Sequence, residues 1–486
     1  LVNEKHIIYA GVGLEVTQND NNSHGFIMTG FPDDRYSDPA FAIQYKKETK
    51  PSSSESKSRA IGFFANGNYS YDDRYFADVS VRIDGSSKFG ADKKYAPFWS
   101  AGAGWNVHNE KFFKHTKISM LKLRYSYGVT GNQEFSAYQA KTMFQFNTDR
   151  LYNSGISAAL MGYGNPDLEW QNQYQSNYGF DFGYAKDRIR LQFNYYQKKT
   201  EGMLTSVSVA PSLGLPSNTF TSNLGKIQNK GVEVNLNAVL IRDQGKDFEW
   251  SVMLQAAHNK NKIMEISTAL KNINEKNNQD KTTPAAVYEE GESMSAIKAV
   301  PSLGIDPTTG QELFMKKDGT ITYTWDATDK VICGDSEPKV FGNVGTNLYW
   351  KGWNLNMVFK YDLGADYYNS TLAERVEGAN PRYNADRRVL NNRWKEPGQH
   401  ALYKNIKEYT TTYISSRFVQ KENTLQLTSL SLSYDLNREW IRKVGLNTMR
   451  LSFYMNDVFR ASTVKNERGL DYPFQRSFVF GLNIGF

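Results

Sequence analysis

The chain has 486 residues, with 30 Tyr, 28 Phe, one cysteine and a formal net charge of +7. Mean hydropathy is −0.60 and no run of about 18 apolar residues occurs. That excludes a transmembrane helix but not a membrane barrel, in which only alternate residues need be apolar. The lone Cys333 excludes an internal disulfide. Lys and Arg are scattered through turns and alternating positions, which argues against nucleic-acid binding.

The chain opens Leu1-Val-Asn-Glu-Lys5 without a charged start and apolar segment, so it is expected to be processed or a fragment. From there, a period of two marks about fourteen strands, the first around Ile7 to Val16. Tyr75 to Asp84 sets Tyr75, Ala77, Val79, Val81 and Ile83 against Asp78, Ser80, Arg82 and Asp84. Leu121 to Val129 sets Leu121, Leu123, Tyr125, Tyr127 and Val129 against Lys122, Arg124, Ser126 and Gly128. Ile189 to Tyr195, Val232 to Leu240 and Trp353 to Asp362 alternate in the same way. At a rise of about 3.3 Å and a tilt near 45°, ten residues cover roughly 23 Å, close to the apolar band of an outer membrane.

The connections alternate in length. Short ones fall near 71–74, 109–117, 185–186, 241–246, 351–352 and 437–445. Long ones fall near 17–57, 85–95, 130–170, 200–228, 260–339, 364–423 and 459–473. Short turns at one end and long loops at the other suit an up-and-down barrel, with the loops outside the cell. The final strand places Phe478, Phe480, Leu482, Ile484 and Phe486 on one face and Ser477, Val479, Gly481, Asn483 and Gly485 on the other. Parity runs it inward, to an aromatic terminus at the periplasmic rim. A soluble propeller or sandwich is the alternative, but no 40–50-residue blade repeat is seen, and so many aromatic faces would aggregate in water.

Several segments resemble the SusC/RagA-like family of TonB-dependent outer-membrane transporters of Bacteroidota. They are Arg82-Ile-Asp-Gly-Ser-Ser-Lys-Phe-Gly90 after Tyr71-Asp-Asp-Arg-Tyr75, Leu121 to Gln133 (LKLRYSYGVTGNQ) and Asn223-Leu-Gly-Lys-Ile-Gln-Asn-Lys-Gly-Val-Glu233. Weaker matches are Gly304-Ile-Asp-Pro-Thr-Thr-Gly310, Trp394-Lys-Glu-Pro-Gly398 and Ser415-Ser-Arg-Phe-Val419, followed by Glu422-Asn-Thr-Leu-Gln426 where the family is aromatic and arginine-rich. Locally, Asp84-Gly85-Ser86, Gly128, Gly131 and Asn132, and Asn229-Lys230-Gly231 read as turn chemistry at membrane exits and entries.

The resemblance implies an all-β, antiparallel up-and-down transmembrane barrel of about 22 strands. Residues 1–486 would be its C-terminal part, with the plug and about eight strands elsewhere. It further implies import of glycan oligomers or peptides with a SusD-like surface lipoprotein, powered by the TonB complex through the plug, and it admits a dimer of such pairs. The final alternating strand resembles the signal read by the outer-membrane assembly machinery.

No catalytic pattern competes. His6, His24, His108, His115, His258 and His400 lack metal-ligand spacing, and neither a G-x-S-x-G elbow nor a P-loop occurs. Gly102-Ala-Gly104 lacks the rest of a dinucleotide motif and reads as strand packing. No cofactor is expected. The resemblance leaves calcium at an outer-loop carboxylate site open, although Asp306-Pro-Thr-Thr-Gly-Gln-Glu312 does not match an EF-hand loop and reads as a turn. Trp170, Trp325, Tyr367 and Tyr368 in the outer loops are candidates for stacking on a sugar, packing on a partner or packing within their own loops. The rival functions are a passive porin and an adhesin or scaffold. An outer-membrane hydrolase lacks a nucleophile and base.

Overall fold

The computed structural model describes the chain apart from residues 1–4, 34, 36–37, 91–92, 114–116, 133–136, 154, 209–218, 224, 267, 283, 381, 384–385, 409, 444 and 466–474. His115, Gln133 and Leu224, and most of the connection expected at 459–473, therefore lie outside the described residues. Fourteen strands form one antiparallel sheet in strict sequence order. They are β1 (His6–Gly25), β2 (Ser52–Tyr71), β3 (Tyr75–Ser86), β4 (Tyr95–Asn106) and β5 (Ile118–Asn132). Then come β6 (Gln171–Tyr184), β7 (Ile189–Glu201), β8 (Lys226–Asp243), β9 (Phe248–Glu265) and β10 (Val340–Trp350). The last four are β11 (Trp353–Tyr368), β12 (Val419–Asp435), β13 (Thr448–Ser462) and β14 (Phe478–Gly485). Among the described residues β1 pairs only with β2, and β14 only with β13.

The burial pattern is the reverse of that in a water-soluble sheet. On β3, Val79, Val81 and Ile83 are 52%, 44% and 46% exposed, while Asp78, Ser80, Arg82 and Asp84 on the other face are half-buried. Register carries each face across the sheet. Ile83 lies opposite Phe63 and Pro97, and Tyr178 lies opposite Tyr125 and Tyr195. Leu482 lies opposite Leu451, and Leu451 opposite Tyr434. An apolar surface this continuous is stable only against lipid. Among the described residues no helix is long and apolar enough to cross a membrane.

Aromatic rings gather at the short-turn end, on the same outward face. Tyr75 stacks on Trp105 with centroids 6.3 Å apart, and Trp353 sits 4.6 Å from Tyr434. This matches an interfacial girdle, where an amphipathic ring has one wet and one apolar side. Glu110, in the turn between β4 and β5, ties it together. It accepts from Tyr75 Oη at 2.8 Å, Trp105 Nε1 at 3.1 Å and Arg74 Nη1 at 3.3 Å. These donors, the tyrosine first, hold its carboxyl below the usual carboxylate range. Within the fourteen-stranded sheet a tight hairpin turns at Lys351 and Gly352, both at positive φ (45° and 89°), the geometry that joins β10 to β11 in two residues.

The strands extend further outward than the sequence suggests, and this corrects the turn assignments. Asp84, Gly85 and Ser86 lie within β3, Gly128, Gly131 and Asn132 within β5, and Asn229, Lys230 and Gly231 within β8. Gly85 and Gly231 give room instead to an aromatic ring directly across the ladder. A Cβ on Gly85 would meet Tyr95 at 2.4 Å, and one on Gly231 would meet Tyr196 at 2.4 Å. Gly104 with Phe76 and Gly342 with Tyr361 repeat the arrangement. Gly104 is thus strand packing, as its sequence context implies.

Candidate functional site

The inward face of the sheet carries many polar groups, and several of its charges are paired along the ladder. Arg82 bridges Glu15 at 2.8 Å and Asp84 at 2.6 Å, and Arg124 reaches Asp181 at 2.9 Å and Asn194 Oδ1 at 3.0 Å. Further round, amides and hydroxyls take over, with Asn343 donating to Gln255 at 3.1 Å and Asn356 opposite Ser431.

Near the loop end the inward face opens into a cleft of about 370 Å³. Asn259 and Asn261 project from β9 and donate to the two oxygens of Glu337, at 2.5 and 2.6 Å. Ser295 donates to Asp335 at 2.6 Å, and Asp366 accepts from the Asp335 backbone and from Lys421. The alternating Asn259-Lys260-Asn261-Lys262 was the available sequence signal for the two amides. Nothing local to Glu337 pointed to its partners, 76 and 78 residues away. Convergent amides and carboxylates of this kind can exchange hydrogen bonds with the hydroxyls or amides of a solute.

Above the cleft, the connections 266–339 and 369–418 fuse into one platform. Arg417 sits at its centre, gripping Glu312 at 2.8 Å and Glu377 at 2.5 and 2.8 Å. Burial alone would weaken the Arg417 charge, but Glu377 and Glu312 outweigh it and hold the group protonated. Arg393, 4% exposed, donates to the carbonyls of Val389, Val376, Glu377 and Lys404. Burial pushes the Lys404 ammonium down. Three of the short sequence motifs meet here. Trp394 Nε1 and the Gly398 amide both donate to the Pro307 carbonyl at 2.8 Å, and Ser416 Oγ accepts from the Ser302 amide at 2.9 Å. Within the turn, Asp306 accepts from Thr308, Thr309 and Tyr323. Tyr323 first, then Thr308, keeps its carboxyl below the usual range. Among the described residues no group of three His, Cys, Asp or Glu is arranged to hold a metal ion.

The four aromatic candidates fall in two places. Trp325 stacks on Tyr413 at 5.2 Å and donates to the Ile414 carbonyl at 2.9 Å, inside the platform. Tyr367 and Tyr368 stand at the outer end of β11, opposite Gln420 and Val419, with Tyr368 edge-on to Phe418 at 6.1 Å. Trp170 lies apart, 6% exposed, stacked on Phe89 at 4.2 Å and near Phe98 at 5.2 Å, with Nε1 donating to the Lys94 carbonyl. At the other end of the barrel, Phe478, Phe480, Leu482 and Ile484 all lie on the outward face of β14. Phe486, 88% exposed, ends at the short-turn rim.

The family model described as TonB dependent receptor-like, beta-barrel matches residues 5–458. The TonB-dependent receptor P3 of Formosa agariphila is 28% identical over 90% of this chain and 46% of its own length. The TonB-dependent receptor SusC of Bacteroides thetaiotaomicron is 23% identical over 88% of this chain and 44% of its own. A structure of the RagAB peptide importer in its closed-closed state aligns with a TM-score of 0.83 at 22% identity, over all of this chain and 54% of the other. That last likeness is one of fold. The chain spans about half the length of the relatives it matches.

Proposed function

We propose that this chain, which belongs to the TonB dependent receptor-like β-barrel family, forms part of the wall and outer loops of an energised nutrient importer. Its place is the cell outer membrane, as the outward apolar face requires. The observation that carries the importer reading is the family match over most of the chain, joined to an inward face rich in paired charges and amides.

In this reading the remaining strands and a plug complete the barrel, and an inner-membrane TonB complex pulls on the plug. The cargo is an oligomer rich in hydroxyls or amides, a glycan or a peptide, met first by the Asn259, Asn261 and Glu337 cleft. A SusD-like surface lipoprotein closes over the platform, and two such pairs can associate. Support for the partner comes from relatives named SusC and RagAB. Phe486 and the outward residues of β14 serve as the signal to the assembly machinery. Nothing in this role needs covalent chemistry, and the relatives are named as receptors and importers.

The test is uptake of labelled oligosaccharides and peptides by cells with and without the intact protein, before and after collapse of the proton-motive force. Uptake that needs both the protein and the gradient is the expected result. Protein-dependent uptake that survives the uncoupler would identify a passive porin instead. Loss of no uptake at all, with surface adhesion lost, would identify a scaffold.

A further inference from the structure

The first four strands carry a cavity on the face away from the lumen. Val16, Ile61, Gly85 and Tyr95 are successive partners across β1, β2, β3 and β4. They share the face of Leu14, Phe63 and Ile83, which is the face turned to lipid. The ion cluster of Glu15, Arg82 and Asp84 occupies the opposite side of the same strands. Val16, Ile61, Gly85 and Tyr95 line a cavity of about 430 Å³. Ile61 stands ten residues beyond Tyr71 of the short-turn end, or roughly 23 Å along the membrane normal. The cavity floor therefore lies at the outer boundary of the apolar band, where lipid head groups begin.

Loops roof it. The Gly90 amide donates to the Leu168 carbonyl, and a Cβ on Gly90 would meet the Pro166 carbonyl oxygen at 1.7 Å, so the roof is held by close backbone packing. The rim is basic. Arg59, Lys94 and Lys141 line the cavity together with Ser86 and Ser87, and among the described residues no Asp or Glu does. Among the described residues none of these three cations forms an ion pair. Arg59 Nε donates to the neutral Gln18 at 3.1 Å. Nearby Lys57, by contrast, is matched by Asp20 and Glu55.

We propose that this cavity binds the phosphorylated head of an outer-leaflet lipid. The phosphate meets Arg59, Lys94 and Lys141, a guanidinium fork and two ammonium groups suited to its oxygens. The acyl chains descend over Val16 and Ile61 onto Leu14, Phe63 and Ile83. A free phosphate would use the cations but not the apolar floor. The proposal rests on which face of the barrel meets lipid, and not on what the barrel imports.

The test uses the intact protein in vesicles of neutral phosphatidylcholine, with or without one-tenth of a bisphosphorylated glycolipid, followed by native mass spectrometry of the extracted protein. The expected result is one phosphorylated lipid retained per protein. The triple variant Arg59→Gln, Lys94→Gln, Lys141→Gln should lose about fivefold in affinity per cation, or about a hundredfold in all. A control pair at the opposite rim, Lys246→Gln and Lys351→Gln, should retain the lipid fully. Heat-modifiable gel mobility confirms that each variant is folded. Retention of the lipid by a folded triple variant would overturn the proposal. So would equal retention of neutral lipid, or displacement of the glycolipid by millimolar inorganic phosphate, which would mark a site for a free anion.

Discussion

Arg417 holds the outer platform together, and its removal has a cost that can be worked from the geometry. Its side chain is 11% exposed, against 5% for Glu312 and 0% for Glu377. Arg417→Met leaves two buried carboxylates. Among the described residues Glu377 then keeps Thr412 Oγ1 at 3.2 Å and Lys404 Nζ at 3.9 Å besides the Lys404 amide, a poor substitute for two short guanidinium bonds. Removing one partner from a buried pair costs about 3–5 kcal/mol. That corresponds to an opening equilibrium raised between about a hundredfold and several thousandfold. Hydrogen exchange of the intact protein in its membrane reads this directly at 300–305 and 414–418, where the two connections meet. The barrel strands should keep their protection, because the network lies beyond them. Arg417→Lys keeps the charge but not the fork and should fall between. Adding Glu312→Gln and Glu377→Gln to Arg417→Met should restore part of the loss, since no uncompensated charge stays buried. Exchange in Arg417→Met within threefold of the parent at both segments would refute the reasoning, as would a triple variant no better than the single one.

Three more outcomes are expected. Val81 is six residues above Tyr75, about 14 Å along the normal, and so near the midplane. Val81→Arg should cost about 2–4 kcal/mol of membrane folding, whereas Ser80→Arg on the inward face should cost only about the 1 kcal/mol of its hydrogen bond to Asn66. Equal folding yields for the two in denaturant titrations would contradict the facing. Gly342→Ala would place a Cβ 1.9 Å from the Gln255 carbonyl oxygen, so backbone must move. A loss of about 1–3 kcal/mol is expected, read as a lower unfolding midpoint in detergent. Finally, Asp386 has its pKa lowered to about 2, by the Arg388 side chain and then by the Arg388 amide. Its folded pKa lies below the ordinary value of about 3.9, so its contribution is complete above that value and lost as pH falls through about 2. Protection of Arg387–Leu390 should follow that course in the parent and be low throughout in Asp386→Asn.

Most of the sheet could be read from the chain because a strand period of two is local and the order of an antiparallel meander is forced. Tyr75, Val79 and Val81 reveal their face by spacing alone, and short turns alternating with long connections fix the direction of every strand. The glycines were harder. Gly85 and Gly231 look like turn residues until the strand across the ladder supplies Tyr95 and Tyr196, and only register shows that. The platform was hidden for the same reason on a larger scale. Arg417 meets Glu312 across 105 residues and Glu377 across 40, and no local pattern encodes such a meeting. The short motifs around Gly304, Trp394 and Ser415 were visible as segments, but not as neighbours. Loop aromatics such as Trp170 and Trp325 carry the same sequence signature whether they meet a ligand or one another.

Alternate residues of each strand face lipid and lumen. This alternation is tested most directly by single cysteines along Phe76 to Ile83, in the intact protein with Cys333→Ser, probed in native membranes. A period of two is expected: positions 76, 78, 80 and 82 react with a membrane-impermeant maleimide, while 77, 79, 81 and 83 are silent to it and quenched by a lipid-borne label. Uniform reactivity along the segment, or the opposite phase, would contradict it.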